Sequence, residues 1–131
     1  MTVALNYVGR GNSMVIDVTG QVAVALGSIL NPEGAQLAIL RTEFNIITPS
    51  TGAATLNAGI GAAVDTDASD ILSALTLNGA LTGKWYNGHV QIAAAETEIT
   101  VLWEDGEYLV LTGSATTVGF VGRLYVEYTR L

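Results

Sequence analysis

Residues 34–61 read GAQLAILRTEFNIITPSTGAATLNAGIG, and this stretch decides the fold class. From Ala38 the residues alternate. Ala38, Leu40, Thr42, Phe44 and Ile46 are assigned to one face, and Ile39, Arg41, Glu43 and Asn45 to the other. A period of two is that of a half-buried strand. A second run repeats it, with Ala54, Leu56, Ala58 and Ile60 on one face and Thr55, Asn57 and Gly59 on the other. Between the runs lies Thr48-Pro49-Ser50-Thr51-Gly52. Pro pre-sets a turn dihedral and Gly tolerates positive φ, so the chain reverses here. The unit is therefore read as strand, turn, strand, with one wet and one dry face. An isolated strand pair is marginal in water, so the remaining chain must supply a second layer.

Outward from this unit the β signal continues. Met1–Val8 and Ser13–Val18 read as strands, separated by the turn cluster Gly9-Arg10-Gly11-Asn12. Residues 1–12 are expected to form a mobile N-terminal arm. Gly20 breaks the second strand, and Gln21–Leu26 resumes it. Asn31-Pro32-Glu33-Gly34 places Pro second and Gly last in a turn. One helix of one to two turns is predicted around Asp67–Leu75, capped by Asp67 or Ser69, with Ile71, Leu72 and Leu75 as its apolar face. Turn signals follow at Leu77-Asn78-Gly79, Leu81-Thr82-Gly83 and Asn87-Gly88, and Gln91–Ala95 reads as extended. Thr97, Ile99, Val101 and Trp103 alternate with polar or outward residues up to Asp105-Gly106, read as a hairpin turn with Glu107–Leu111 returning. In the last strand, Val118–Tyr128, Phe120, Leu124, Val126 and Tyr128 oppose Val121, Arg123, Tyr125 and Glu127. Seven to nine short strands in a single domain predict an all-β, two-sheet antiparallel sandwich, jelly-roll-like or Ig-like, with a closed barrel as the runner-up.

Composition narrows the function classes. The chain has 131 residues, of which 50% are hydrophobic and 13% charged. That supplies ample apolar surface against the entropy of ordering, so disorder is excluded as the default. The low charge fits either an oligomer or docked subunit, or a β-domain rich in small residues. The net charge of −7, with only Arg10, Arg41, Lys84, Arg123 and Arg130 as unclustered bases, disfavours nucleic-acid and anionic-membrane partners. There is no cysteine, hence no disulfide and no thiolate chemistry. The charge-poor stretch Val18–Leu30 is too short and polar for a membrane span, and no signal peptide is read at the start.

The candidates for chemistry are few. Asp65, Asp67 and Asp70 could hold a hard cation, but the spacing is not that of a calcium loop, and acids at a helix start serve equally as caps. His89 is the sole histidine, and without cysteine it cannot build a zinc site unaided. No serine lies in a G-x-S-x-G elbow. Glu104, Asp105 and Glu107 could act as paired carboxylates, yet at a turn tip they read as solvated. Trp85 and Tyr86 could stack on a sugar or dock on a partner, or equally belong to the core. Gly59-Ile60-Gly61 lacks the rest of a dinucleotide motif. The expectation is a chain with no catalytic residues, no cofactor and no metal.

The order Asn31-Pro32-Glu33-Gly34, Thr51-Gly52-Ala53-Ala54-Thr55-Leu56-Asn57-Ala58-Gly59-Ile60-Gly61, the acidic Asp65–Asp70 stretch, Leu77-Asn78-Gly79 and a closing Val118-Gly119-Phe120-Val121-Gly122 resembles the decoration (cement) proteins of tailed-bacteriophage heads. The similarity covers roughly Val15 to Gly83 and the last strand. It implies a β-sandwich that assembles as a homo-oligomer, often a trimer, made in the host cytoplasm. It would bind the major capsid protein on the outside of the expanded head and stabilise the shell. The arm formed by residues 1–12 is expected to contribute to docking. The alternative is a carbohydrate- or receptor-binding jelly roll on a virion surface or tail, for which Trp85, Tyr86, Trp103 and Tyr108 are the aromatic candidates.

Overall fold

The computed structural model describes residues 5, 7–10, 12–79, 85–87 and 101–131. These form ten strands: β1 (Tyr7–Arg10), β2 (Ser13–Thr19), β3 (Ala25–Leu30), β4 (Leu37–Thr48), β5 (Thr55–Gly61), β6 (Leu72–Thr76), β7 (Trp85–Asn87), β8 (Val101–Trp103), β9 (Tyr108–Gly113) and β10 (Val121–Arg130). His89, the Leu81–Gly83 and Gly88 turn residues, the Gln91–Ala95 extended segment and Thr97–Thr100 lie outside the described residues.

The strands build two antiparallel sheets, a β-sandwich. One has the order β1-β2-β10-β4-β7, with β8 also on β4, and the other has the order β3-β9-β5-β6. β7 pairs with Glu43–Asn45 and β8 with Leu37–Ile39, on the edge of β4 that β10 leaves free. Together they fill one strand position. With β7 and β8 counted as one, β2-β10-β4-β7/β8 faces β3-β9-β5-β6, which is the interleaved order of a jelly roll, and β1 is an additional edge strand.

Both strand–turn–strand units turn at the expected residues, but they join different sheets. β4 and β5 are not paired with each other, nor are β8 and β9. At the second turn, Glu107 N–H donates to the Glu104 carbonyl at 3.1 Å, and Gly106, at the third position, has φ +86°. Positive φ there marks a type II turn, whose twist splays strands instead of pairing them. The apolar pattern is the same for a hairpin and for a corner, because both must point their dry face inward.

The helix around Asp67–Leu75 is not formed; among the described residues there is no helix. Residues 62–71 run as an irregular segment, and Leu72–Thr76 join the sheet as β6. Asp67, one of the two expected caps, is taken by the sheet, its Oδ1 accepting from Asn57 Nδ2 and Thr112 Oγ1. Asp70 Oδ1 accepts the Ile60 N–H at 2.9 Å, and Ile71 N–H donates to the Ala58 carbonyl at 2.9 Å. A helix of one or two turns is too weak to compete with such pairing.

The core is a single cluster between the sheets, with Met14, Ile16, Leu26, Leu37, Phe44, Ile46, Leu56, Trp103, Leu109, Leu111, Phe120, Leu124 and Val126 among its members. Phe44 and Phe120 stack with ring centroids 5.8 Å apart. Gly122 permits this, since a Cβ there would lie 2.6 Å from Phe120 Cζ and 3.0 Å from Phe44 Cζ. Inward alternation in β10 follows the sequence reading, with Leu124, Val126 and Tyr128 buried. In β4 the reading holds only from Thr42 onward. The register with β10 shifts between Glu127 and Tyr128, leaving Leu40 as a bulge residue. Ile39 is therefore buried and Leu40 is 54% exposed, the reverse of their expected faces.

Candidate functional site

The loops gather at two ends of very different chemistry. At one end lie the connections 31–36, 62–71 and 104–107. They carry Glu33, Asp65, Asp67, Asp70, Glu104, Asp105 and Glu107, seven of the twelve acids in the chain. At the other end lie 20–24, 49–54 and 114–120, with no charged residue.

At the acidic end the carboxylates hold loops. Asp67 Oδ1 accepts from Asn57 Nδ2 at 3.0 Å and from Thr112 Oγ1 at 2.9 Å, and these bonds lower its pKa below the ordinary value. Asp70, half-buried, is pushed the other way by desolvation, which outweighs its bond from Ile60 N–H. Asp65 is exposed. Segment 62–71 thereby folds over the outer face of β5 and β9. Gly59 and Gly61 make room for it, since a Cβ on Gly59 would lie 2.8 Å from Ala68 Cβ and one on Gly61 2.4 Å from Thr66 Cβ. Val110 is fully buried although it lies outside the core cluster. The three aspartates do not converge, and among the described residues no three His, Cys, Asp or Glu side chains are placed to hold a metal ion.

Glu104 and Glu107 are equally occupied. Glu107 Oε1 accepts the Glu104 N–H at 2.9 Å, and Glu104 Oε2 accepts from Gln36 Nε2 at 2.6 Å. Trp103 is fully buried, with Nε1–H donating to the Glu107 carbonyl at 2.9 Å, so it offers no platform for a sugar ring. Tyr108 is half-buried. Trp85 and Tyr86 are placed by backbone pairing, opposite Asn45 and Phe44. Asn31 ties two loops at this end, donating from Nδ2 to the Ala35 carbonyl at 2.8 Å and the Trp103 carbonyl at 2.9 Å.

The uncharged end is locked by the backbone. Gly20 N–H donates to the Phe120 carbonyl (2.8 Å), Thr117 N–H to Gln21 (3.1 Å), Gly113 N–H to Val24 (2.8 Å) and Thr51 N–H to Val118 (3.1 Å). Gly20 lies so close to the Thr117 carbonyl that a Cβ would fall 1.8 Å from its oxygen. Yet the side chains carried by these loops face water: Val22 is 78% exposed, Val24 51% and Val118 43%. Ile47 and Val121, both exposed, extend the patch onto the rim of the larger sheet. Other exposed apolar residues sit beside charges, such as Leu40 next to Arg41, Val64 next to Asp65 and Leu131 next to Arg130. The signal for the uncharged end was present in the sequence as charge-free runs at 18–32, 44–64 and 108–122. Only the fold shows that three of their loops meet.

The outer face of the larger sheet mixes charged pairs with exposed Val15, Leu40 and Leu102. Arg123 pairs with Asp17 at 3.0 Å and Arg41 with Glu43 at 3.0 Å, and the Arg41 guanidinium lies 5.3 Å from the Tyr125 ring centroid. Beside the Leu40 bulge is an open depression of about 310 Å³ lined by Asn12, Ser13, Leu40, Glu127 and Tyr128. Sequence patterning gave no sign of it, because its lining residues Asn12, Ser13, Leu40 and Glu127 come from distant parts of the chain.

No family model, curated protein or solved structure matches the chain.

Proposed function

We propose that this chain is a structural protein of a bacteriophage virion, a decoration protein that binds the outer surface of the expanded head, contacts the major capsid protein and stabilises the shell. The observation that carries the reading is the gathering of exposed Val22, Val24 and Val118 on an uncharged end locked by backbone hydrogen bonds. Loops are normally polar and mobile, and an apolar, rigid loop end is the mark of a protein–protein contact. The acidic end suits the other half of the role. Turned to solvent, it would surround a decorated particle with negative charge and keep particles apart. The jelly-roll order supports the reading as well, since the architecture serves in viral shells, although it also serves in lectins.

Heads packed with DNA but lacking the protein provide the test. Adding the purified chain to saturation is expected to raise the temperature at which the heads release DNA, in proportion to occupancy. A release temperature that stays constant across the titration would contradict the role in shell stability.

A further inference from the structure

We propose that the depression beside Leu40 is a binding site for a primary ammonium group carried on a short hydrocarbon stem. It lies on the outer face of the larger sheet, apart from the uncharged loop end, and the proposal does not rest on the virion reading. Three observations carry it.

The first is the form of the site. The depression measures about 310 Å³ and is lined by Asn12, Ser13, Leu40, Glu127 and Tyr128. That is the lower limit of small-molecule sites, so it suits a ligand of side-chain size. Its walls are held in register across β2, β10 and β4, where Ser13 and Arg41 both lie opposite Glu127. Tyr128 N–H donates to the Asn12 carbonyl at 2.8 Å, and Tyr128 OH donates to Glu33 Oε2 at 3.1 Å. Binding therefore orders little that is not already ordered.

The second is charge. Tyr125 OH donates to Glu127 Oε2 at 3.1 Å and fixes the carboxylate. Among the described residues no cation pairs with Glu127. Arg41, opposite it in the register, is drawn away, with its Nη2 3.0 Å from Glu43 Oε2 and its guanidinium 5.3 Å from the Tyr125 ring centroid. Arg123 pairs with Asp17, and Arg130 lies 3.9 Å from Glu33. A carboxylate without a counter-charge thus lines the depression, and the net charge of −7 draws cations toward it.

The third is the kind of cation. The bulge leaves Leu40 54% exposed, which gives the site an apolar wall. A metal ion gains nothing from a leucine, and among the described residues no three acids or histidines are placed to hold one. A quaternary ammonium is held by aromatic faces, and the Tyr125 ring already carries Arg41 over it. A primary ammonium has three N–H donors. Glu127, Asn12 and Ser13 bring oxygen acceptors to the site, and Leu40 takes the hydrocarbon stem.

Amide chemical-shift titration of the full chain with n-butylammonium chloride, at constant ionic strength and neutral pH, tests this. The expected result is saturable shifts at Asn12, Ser13, Leu40 and Glu127, with a Kd of about 1–10 mM for one charge-assisted contact and a short buried stem. n-Butanol has the stem without the charge and butyrate has the opposite charge, and each is expected to bind at least about tenfold more weakly. Glu127→Gln keeps an oxygen for Tyr125 OH but loses the charge, and should weaken butylammonium by at least about tenfold. Leu40→Ser should weaken it about three- to tenfold with an unchanged thermal melt, since Leu40 is exposed. Shifts that rise without saturating overturn the proposal, as do butanol binding equal to butylammonium or a Glu127→Gln variant that binds as tightly as wild type. Two further probes separate the sources of the group. Acetyl-lysine methylamide binding as well as butylammonium, with putrescine no tighter, supports the site as a receptor for a lysine side chain of a partner protein. Putrescine binding at least about tenfold tighter supports it as a site for a free polyamine. No probe involves a phage head, so the outcome is separate from that of the virion reading.

Discussion

Thr42 buries its hydroxyl between the sheets with no hydrogen-bond partner among the described residues, while its neighbours in β4 fill the core. An unpaired buried hydroxyl costs roughly 1–3 kcal/mol, and valine offers nearly the same shape with a methyl instead. Thr42→Val is therefore expected to raise the unfolding free energy by about 1 kcal/mol, read as a higher urea midpoint at unchanged slope. The residue scale is also where pattern reading ran out. The position of Thr42 on the dry face was legible, since Thr42, Phe44 and Ile46 keep one parity. Two residues earlier the parity flips, because the bulge at Leu40 inserts one residue into β4. A bulge is a matter of pairing with β10, and no local pattern in β4 encodes it.

At the scale of elements, the segment 62–71 acts as a lid over the outer face of β5 and β9. Gly59 is its seat, since a Cβ there would meet Asp70 Oδ1 at 2.0 Å and the Ala68 backbone carbon at 2.9 Å. Gly59→Ala is expected to lift the segment and destabilise the fold by about 1–3 kcal/mol, with faster amide exchange across 62–71. Gly52→Ala meets nothing within 4 Å and serves as the control, expected to stay within about 0.5 kcal/mol of wild type. Asp70 adds a pH dependence to the same element. Its folded pKa is raised, chiefly by desolvation, so its contribution is fully present below the ordinary carboxylate value near 4 and is lost as pH rises through the folded value. Asp70→Asn keeps an oxygen to accept the Ile60 N–H but cannot ionise. Relative to wild type, the variant should gain in melting temperature as pH rises from about 4 toward neutral, and a constant difference across that range would contradict the assignment. Asp67 opposes this trend, because its lowered pKa lends stability that is lost as pH falls through the folded value; the comparison with Asp70→Asn cancels that contribution. The acids here were visible in sequence, but they were read as the start of a helix that is not formed. They bind a sheet face and not a helix, because Gly59 and Gly61 leave the trough open and Asn57 Nδ2, Ile60 N–H and Thr112 Oγ1 supply the donors from neighbouring strands.

For the whole molecule, the two-sheet architecture was legible because alternation and turn residues recur along the chain. The way the turns connect was not legible. Thr48–Gly52 and Asp105-Gly106 mark reversals in either fold, and the choice between hairpin and corner depends on turn twist and on the second sheet. The same holds for the contrast between the ends. Each charge-free run is plain in the sequence, but their convergence, and the collection of Glu33, Asp65 and Glu107 opposite, belong to the jelly-roll order. We propose that this two-ended sandwich coats a shell. Co-sedimentation with empty expanded phage heads lacking the protein, beside unexpanded precursor shells, tests it most directly. Saturable binding to the expanded heads alone, at a fixed number of copies per shell, is expected. Absence of binding to either particle by the folded, soluble chain would contradict it.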